Sequence, residues 1–257
     1  MTTADKPSDR SDARLLRIEL VIVFAITLGL SGLRSLLSLL ESLLATQPLS
    51  EQSVALNAPA AEADLIDLGF QLLRVLQLFA WGGLGAYLLV RGGIRLREVG
   101  LGRRLDRRDA AYGLALAAVI GLPGLGFYLV ARAVGANLTV LPSVLDDTWW
   151  RVPVLILAAA ANAWAEEVLM IGFLLTRLRQ LKVGRYQALA ISAVLRGAYH
   201  LYQGFGGFVG NIIMGLVFGW AWQRTKRLWP LVIAHTVIDV VAFVGYALLR
   251  GKVGWLP

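Results

Sequence analysis

Apolar residues collect in long runs along the chain, and charged residues fall mainly in the connections between these runs. A helix needs about 20 apolar residues to cross the hydrocarbon core of a bilayer. The runs therefore predict an all-α, polytopic transmembrane helical bundle with about seven spans. The predicted spans are residues 20–40, 68–90, 111–134, 152–176, 186–202, 208–222 and 229–249.

The connections alternate in the sign of their charge. Residues 41–64 carry four acids and no Lys or Arg, whereas residues 91–109 carry seven arginines. Because basic loops stay on the cytoplasmic side, we expect a cytoplasmic N-terminus in a multi-pass protein of the cell membrane, such as a bacterial plasma membrane. The net charge of +8 is spread over several connections, which favours membrane lipid as a partner and argues against nucleic acid.

Composition narrows the class of protein further. Hydrophobic residues make up 57% of the 257-residue chain, which is not typical of a soluble domain. The chain has no cysteine, which excludes disulfides, thiol catalysis and cysteine-ligated zinc. We expect four segments: a polar cytoplasmic tail (1–16), transmembrane helices with an arginine-rich cytoplasmic loop (17–150), a transmembrane core that holds the candidate site (151–250) and a C-terminal tail (251–257).

Two adjacent carboxylates, Glu166 and Glu167, lie in the middle of an apolar run. An ionised carboxylate in hydrocarbon is costly, so such residues mark a candidate functional site and need named partners. Neighbouring residues on a helix point about 100° apart, so we expect different roles for the two glutamates. The two histidines of the chain, His200 and His235, lie within neighbouring apolar runs.

A spacing of four residues, which places two side chains on one helix face, recurs among these polar residues. It relates Arg196 to His200, His235 to Asp239 and Asn162 to Glu166. We therefore predict that one bundle brings six side chains together, with Asn162 as a supporting residue. The six are Glu166, Glu167, Arg196, His200, His235 and Asp239.

Three segments resemble a known family: AEEVLMIGFLLTRLRQL, SAVLRGAYHLYQGFGGF and RLWPLVIAHTVIDVVAF. Their order is similar to that of the CPBP group, which comprises CAAX proteases and bacteriocin-processing or Abi proteins and includes the type II CAAX prenyl endopeptidases. The resemblance covers residues 151–246. It implies an intramembrane endopeptidase that hydrolyses a peptide bond of a membrane-associated protein or peptide.

The resemblance also implies roles for single residues. Glu166 would activate the attacking water, with His200 as its partner. His235 and Asp239 would polarise the scissile carbonyl or stabilise its oxyanion. Glu167 belongs to the same motif, and we expect it to support a neighbouring helix or ligand.

Two positions depart from the family patterns EExxxR and FxxxH. Ile171 stands where the first pattern has arginine, and Arg196 stands where the second has phenylalanine. Because Arg196 shares a helix face with His200, we predict that it pairs with Glu166 or Glu167 and supplies the missing cation.

The residues alone leave alternatives open. Glu166, His200 and His235 are the candidate ligands if a divalent metal such as Zn²⁺ activates the water instead. Glu, His and Asp within spans also form proton relays in transporters, although no inverted repeat supports that class. A divergent scaffold that keeps the fold without catalysis is the third class.

Overall fold

The computed structural model describes residues 9–102 and 104–253, with side chains from residue 12 onward. Within these residues the α-helices are α1 (Asp9–Ile26), α2 (Leu28–Leu44), α3 (Asp64–Arg91), α4 (Leu96–Val99), α5 (Arg107–Ala133), α6 (Arg151–Glu166), α7 (Leu175–Gln180), α8 (Arg185–Ala198), α9 (Phe205–Thr225) and α10 (Trp229–Leu249). A π-helix, Glu167–Leu174, joins α6 to α7. The short strands β1 (Ser53–Ala55) and β2 (Thr139–Leu141) lie in two connections.

These elements confirm the predicted helical membrane bundle. By length and composition, five of the described helices can each cross a membrane, or six if α1 and α2 form one bent span. The sequence predicts about seven, and the difference includes residues 186–202, where α8 has only 14 residues. Hydrogen bonds nevertheless join α8 and the turn after it to both ends of the bundle. The Gln223 amide donates to the Arg185 carbonyl at the start of α8 (3.0 Å), and Leu138 N–H donates to the Gln203 carbonyl in the turn (2.9 Å).

The first predicted span, residues 20–40, is bent rather than straight. α1 and α2 meet at an angle of 49°. The break lies at Thr27, whose backbone is non-helical and whose hydroxyl donates to the Val23 carbonyl (2.6 Å). Threonine side chains that bond one turn back often bend helices.

Part of the predicted N-terminal polar tail is helical. Residues 1–8 and 254–257 lie outside the described residues, but α1 begins at Asp9, so residues 9–16 of the predicted tail are helical. Alanine, leucine and arginine dominate positions 13–17, and these residues have high helix propensity.

The connections meet in two groups at opposite ends of the bundle. At one end β1 pairs in parallel with β2, and Asn137 bridges to Gly204 at the start of α9. At the other end the Trp222 N–H donates to the Val99 carbonyl (2.9 Å), which joins the arginine-rich loop to the end of α9. This grouping agrees with the prediction that successive connections alternate between the two sides of the membrane. Which end is cytoplasmic stays a prediction.

The span formed by α6, the π-helix and α7 is the centre of the bundle. In its most apolar window 67% of the residues are buried, against 17% to 39% in the other four spanning helices. α3 and α10 pack against α6, while α8 packs along α9. The two glutamates are therefore surrounded by protein, so their charges meet protein groups rather than lipid.

Glycines allow the close packing of α8 on α9. A Cβ at Gly215 would lie 3.0 Å from the Ala193 Cα and 3.3 Å from the Arg196 Cδ. Small residues at such contacts let two helix backbones approach each other. Because the two helices lie so close, the long Arg196 side chain packs tightly beside α9.

Candidate active site

The backbone changes from α-helix to π-helix between the two glutamates. α6 ends at Glu166, and the π-helix begins at Glu167. π-turns are rare and occur frequently at functional sites. The Ser192 hydroxyl of α8 donates to the Met170 carbonyl within the π-helix (3.0 Å), so α8 helps to stabilise this segment. Sequence reasoning missed the π-helix because the run is apolar on every side and carries no periodicity.

Glu167 joins three helical elements. Its Oε1 accepts a hydrogen bond from Arg196 Nη2 of α8 (2.5 Å) and another from His235 Nδ1 of α10 (2.8 Å). Glu167 and Arg196 are both fully buried. The predicted pairing of Arg196 with one of the two glutamates is therefore confirmed, and Glu167 is the partner in direct contact.

Glu166 has a different set of neighbours. Its Oε2 accepts a hydrogen bond from the Tyr199 hydroxyl (2.7 Å) and lies 3.6 Å from Arg196 Nη1. Sequence reasoning missed Tyr199. The available signal was its position three residues after Arg196, which places both side chains on the same face of α8.

The two histidines are oriented through their Nδ1 atoms. His200 Nδ1–H donates to the Arg196 carbonyl (2.9 Å), and its ring packs against that of Tyr199 with 4.7 Å between centroids. His235 Nδ1–H donates to Glu167. In each ring Nε2 therefore points away from the bond that fixes the ring.

Asp239 completes the polar group on α10. Its Oδ2 accepts a hydrogen bond from the Asn162 amide of α6 (3.0 Å) and lies 3.6 Å from His235 Nε2. Asn162 thus supports the site through Asp239. Since carboxylates lie near both ring nitrogens of His235, this ring can hold a proton on each nitrogen.

Three buried polar atoms of this cluster have no hydrogen-bond partner among the described protein groups. They are Glu167 Oε2, Arg196 Nε and Arg196 Nη1. Buried polar atoms without a protein partner are commonly satisfied by ordered water. The cluster therefore offers donors and an acceptor to water or to a substrate inside the bundle.

The six side chains predicted to converge do come together. Glu166 lies within electrostatic range of His200, His235 and Arg196. The remaining members, Glu167 and Asp239, are connected to His235. The cluster combines three carboxylates, one guanidinium and two imidazoles, the groups that a proton-transfer site in a water-poor interior requires.

The arrangement of the donor set bears on the divalent metal that the sequence left open as an alternative. No group of three His, Asp or Glu side chains in the described part of the chain is arranged to hold an ion. Arg196 already places a positive charge 3.6 Å from Glu166. A second cation between the proposed ligands Glu166, His200 and His235 would be repelled by this guanidinium.

A comparison with protein families decides the class of this domain. The family described as type II CAAX prenyl endopeptidase Rce1-like matches residues 148–241. This part of the chain is similar to an Rce1-like domain. The match spans the whole polar cluster from Asn162 to Asp239, and it supports a membrane protease of the CAAX type. No curated protein and no solved structure matches the chain.

The Rce1-like domain departs from the family pattern where the sequence indicated. Ile171, at the arginine position of EExxxR, is fully buried in the apolar core. Its Cδ1 lies 3.7 Å from the position of a Cβ at Gly219, and the Arg196 Cδ lies beside Gly215, one turn earlier on α9. Ile171, which replaces the family arginine, and Arg196, which replaces the family phenylalanine, therefore face the same stretch of α9.

Proposed function

We propose that this protein is an intramembrane endopeptidase in which Glu166 activates the water that attacks a peptide bond. The substrate is a peptide bond of a membrane-associated protein or peptide, the substrate class that a CAAX-type protease implies. The observation that carries the proposal is that the two glutamates accept different numbers of hydrogen bonds from the protein. Glu167 Oε1 already accepts from both Arg196 and His235, whereas only Tyr199 among the described residues donates to Glu166.

The reaction follows from this arrangement. Glu166 removes a proton from water as the water oxygen forms a bond to the carbonyl carbon. Negative charge develops on the carbonyl oxygen, and His235 Nε2–H stabilises it while Glu167 and Asp239 hold the ring. Glu166, with His200 as its partner, then gives this proton to the amine nitrogen as the C–N bond breaks. Glu167 binds both Arg196 and His235, so it acts as a positioning residue.

A comparison of protein fragments in membranes tests this proposal. N- and C-terminal fragments from cells that produce the wild type are compared with those from cells that produce Glu166→Gln. Fragments that depend on the wild type should disappear in the variant, while membrane insertion stays intact. Glu62→Gln, at an exposed loop position, is the matched control and should behave as wild type.

Two alternatives give different results in the same cells. The 3.6 Å approach of Arg196 to Glu166 favours a scaffold without catalysis, because a fixed cation weakens a general base. A scaffold would produce identical fragments in the wild type and in Glu166→Gln. A proton-coupled transporter would also leave the fragments unchanged, and purified protein in liposomes would show a flux that Glu166→Gln abolishes.

A further inference from the structure

A cavity of about 230 Å³ lies at the basic end of the bundle, between α7, α8 and the end of α9. Three cationic side chains line it: Arg179 in α7, Arg185 at the start of α8 and Lys226, which directly follows α9. The lining includes no acidic side chain. We call Arg179, Arg185, Lys226 and Trp222 the basic pocket.

Trp222 forms a fixed wall of the basic pocket. Its ring is almost fully buried, and its N–H donates to the Val99 carbonyl (2.9 Å). Lys226 Nζ lies 3.7 Å from the centroid of this ring, a cation–π contact. The contact holds the ammonium over the indole and keeps it at the cavity.

Other cations at the same end of the bundle have carboxylate partners. Arg227 donates to Asp109 (2.7 Å) and to Asp106 (2.8 Å), and Arg177 donates to Glu19 (2.7 Å). Within residues 12–102 and 104–253, no such carboxylate partner is found for the three cations of the basic pocket.

The positive charge of the basic pocket is not balanced by a carboxylate, which favours the binding of an anion. Burial, with the neighbouring guanidinium groups of Arg179 and Arg185, lowers the pKa of Lys226 to about 8. Like charges at short range repel one another, and a bound anion would remove this cost. Phosphate oxygens accept hydrogen bonds from guanidinium and ammonium groups, and arginine can bind a phosphate through two of them.

The surroundings of the basic pocket favour a lipid headgroup over a free ion. Tyr186, next to Arg185 in the chain, and Trp220, in the last turns of α9, are exposed. Arg185 and Arg224 lie over these two rings at 5.1 and 5.4 Å. Exposed Tyr and Trp next to basic residues are typical of the membrane–water interface. A headgroup there would reach the cavity while its acyl chains stay in the bilayer.

We propose that the basic pocket binds the phosphate of an anionic phospholipid headgroup. The guanidinium groups of Arg179 and Arg185 and the ammonium of Lys226 bind the phosphate oxygens, while Trp222 bounds the site. Leu175, which also lines the cavity, follows the π-helix directly. A bound headgroup thus contacts the residue that follows the π-helix, whose first residue is Glu167.

Lipid retention measured by native mass spectrometry tests this proposal. The full chain is purified in detergent and titrated with a short-chain phosphatidylglycerol or with the matching phosphatidylcholine. Wild type should retain phosphatidylglycerol in preference to phosphatidylcholine. The variant Arg179→Gln with Lys226→Gln should bind phosphatidylglycerol at least about tenfold more weakly.

A control variant removes the same number of charges elsewhere. Arg104→Gln with Arg108→Gln changes two exposed arginines outside the basic pocket and should keep the wild-type affinity. Equal losses in the two double variants would overturn the site and indicate unspecific attraction by net charge. If the double pocket variant fails to fold, Arg179→Gln alone gives the same comparison against Arg104→Gln.

A competition experiment separates the two sources of phosphate. Inorganic phosphate at the concentration of the lipid should not displace phosphatidylglycerol, because the proposed ligand is a headgroup held by its acyl chains. Displacement at that concentration would overturn the lipid assignment.

Discussion

The buried cluster around Arg196 and the basic pocket around Lys226 both bring several charges together, but only the first contains both signs. Arg196 lies against Glu167 and near Glu166, so its charge is balanced by residues of the same chain. The three cations of the basic pocket have a tryptophan and no carboxylate among their neighbours in the cavity. In the interior a counter-charge must come from the protein, whereas at the interface it can come from lipid.

The contrast between the two regions requires the basic pocket to lie on the cytoplasmic side. Reporter fusions test this orientation, and the expected effect is the largest because the signal is either present or absent. A cytoplasmic reporter fused after Arg108 should be active, and the same reporter fused after Asp64 should be inactive. Opposite signals at these two positions would reverse the orientation and move the basic pocket to the other leaflet.

Removal of the interior cation should have the next largest effect. Arg196→Leu leaves Glu167 and Glu166 without their guanidinium partner. Breaking a buried ion pair typically costs about 3–5 kcal/mol, so this variant should lose stability or all activity. Apparent unfolding free energies in detergent measure the change.

Arg185→Leu is the matched control for this variant, because it removes an arginine from the same helix at an exposed position of the basic pocket. It should change stability by about 0.5 kcal/mol or less in detergent without anionic lipid. If the two variants were equally stable and active, the contrast between the two regions would be wrong.

Restoring the family pattern tests whether Arg196 replaces the arginine that the family has at position 171. Arg196→Phe alone should lower proteolysis strongly, and Ile171→Arg in the same chain should recover part of it. The reason is that both positions face the same stretch of α9 near Gly215 and Gly219. Fragment yields from the single and the double variant measure the recovery. No recovery in a stably inserted double variant would show that the cation must come from α8.

Tyr199 allows a smaller change at the proposed base. Tyr199→Phe removes the hydrogen bond to Glu166, a bond to a charged group worth about 1.5–3 kcal/mol. We expect a loss of about tenfold or more in kcat with little change in KM, because the bond positions the base rather than the substrate. Tyr202→Phe is the control, since that hydroxyl accepts from the Gln203 amide and does not donate to Glu166. Equal kinetics for the two variants would remove Tyr199 from the site.

The pH dependence of lipid binding should be the smallest effect. The pKa of Lys226 is lowered to about 8, so its ammonium is charged below that pH and loses its proton above it. Retention of phosphatidylglycerol should therefore fall as the pH rises from 7 to beyond 8, and the bound phosphate should shift the fall upward. Lys226→Arg should abolish this dependence, because Arg179, Arg185 and the new arginine all stay charged. The same fall in the arginine variant would assign it to another group.

The sequence predicted most of the site because its signals are local. Glu166 and Glu167 stood out as charges within an apolar run, and the spacing of four related His235 to Asp239 without any tertiary information. The metal alternative is different. The same residue types are compatible with zinc, and only the position of Arg196 beside Glu166 argues against that arrangement.

The sequence by itself determined the apolar spans, the alternation of loop charge and the residues that share each helix face, because these properties depend on neighbours within a turn or two of helix. The tertiary structure alone decided that Glu167, rather than Glu166, lies directly against Arg196 and His235. It also decided the contact of Tyr199 with Glu166 and the cations of the basic pocket. Two adjacent helical side chains point about 100° apart, and their partners depend on where α8 and α10 pack, which is a property of the whole bundle.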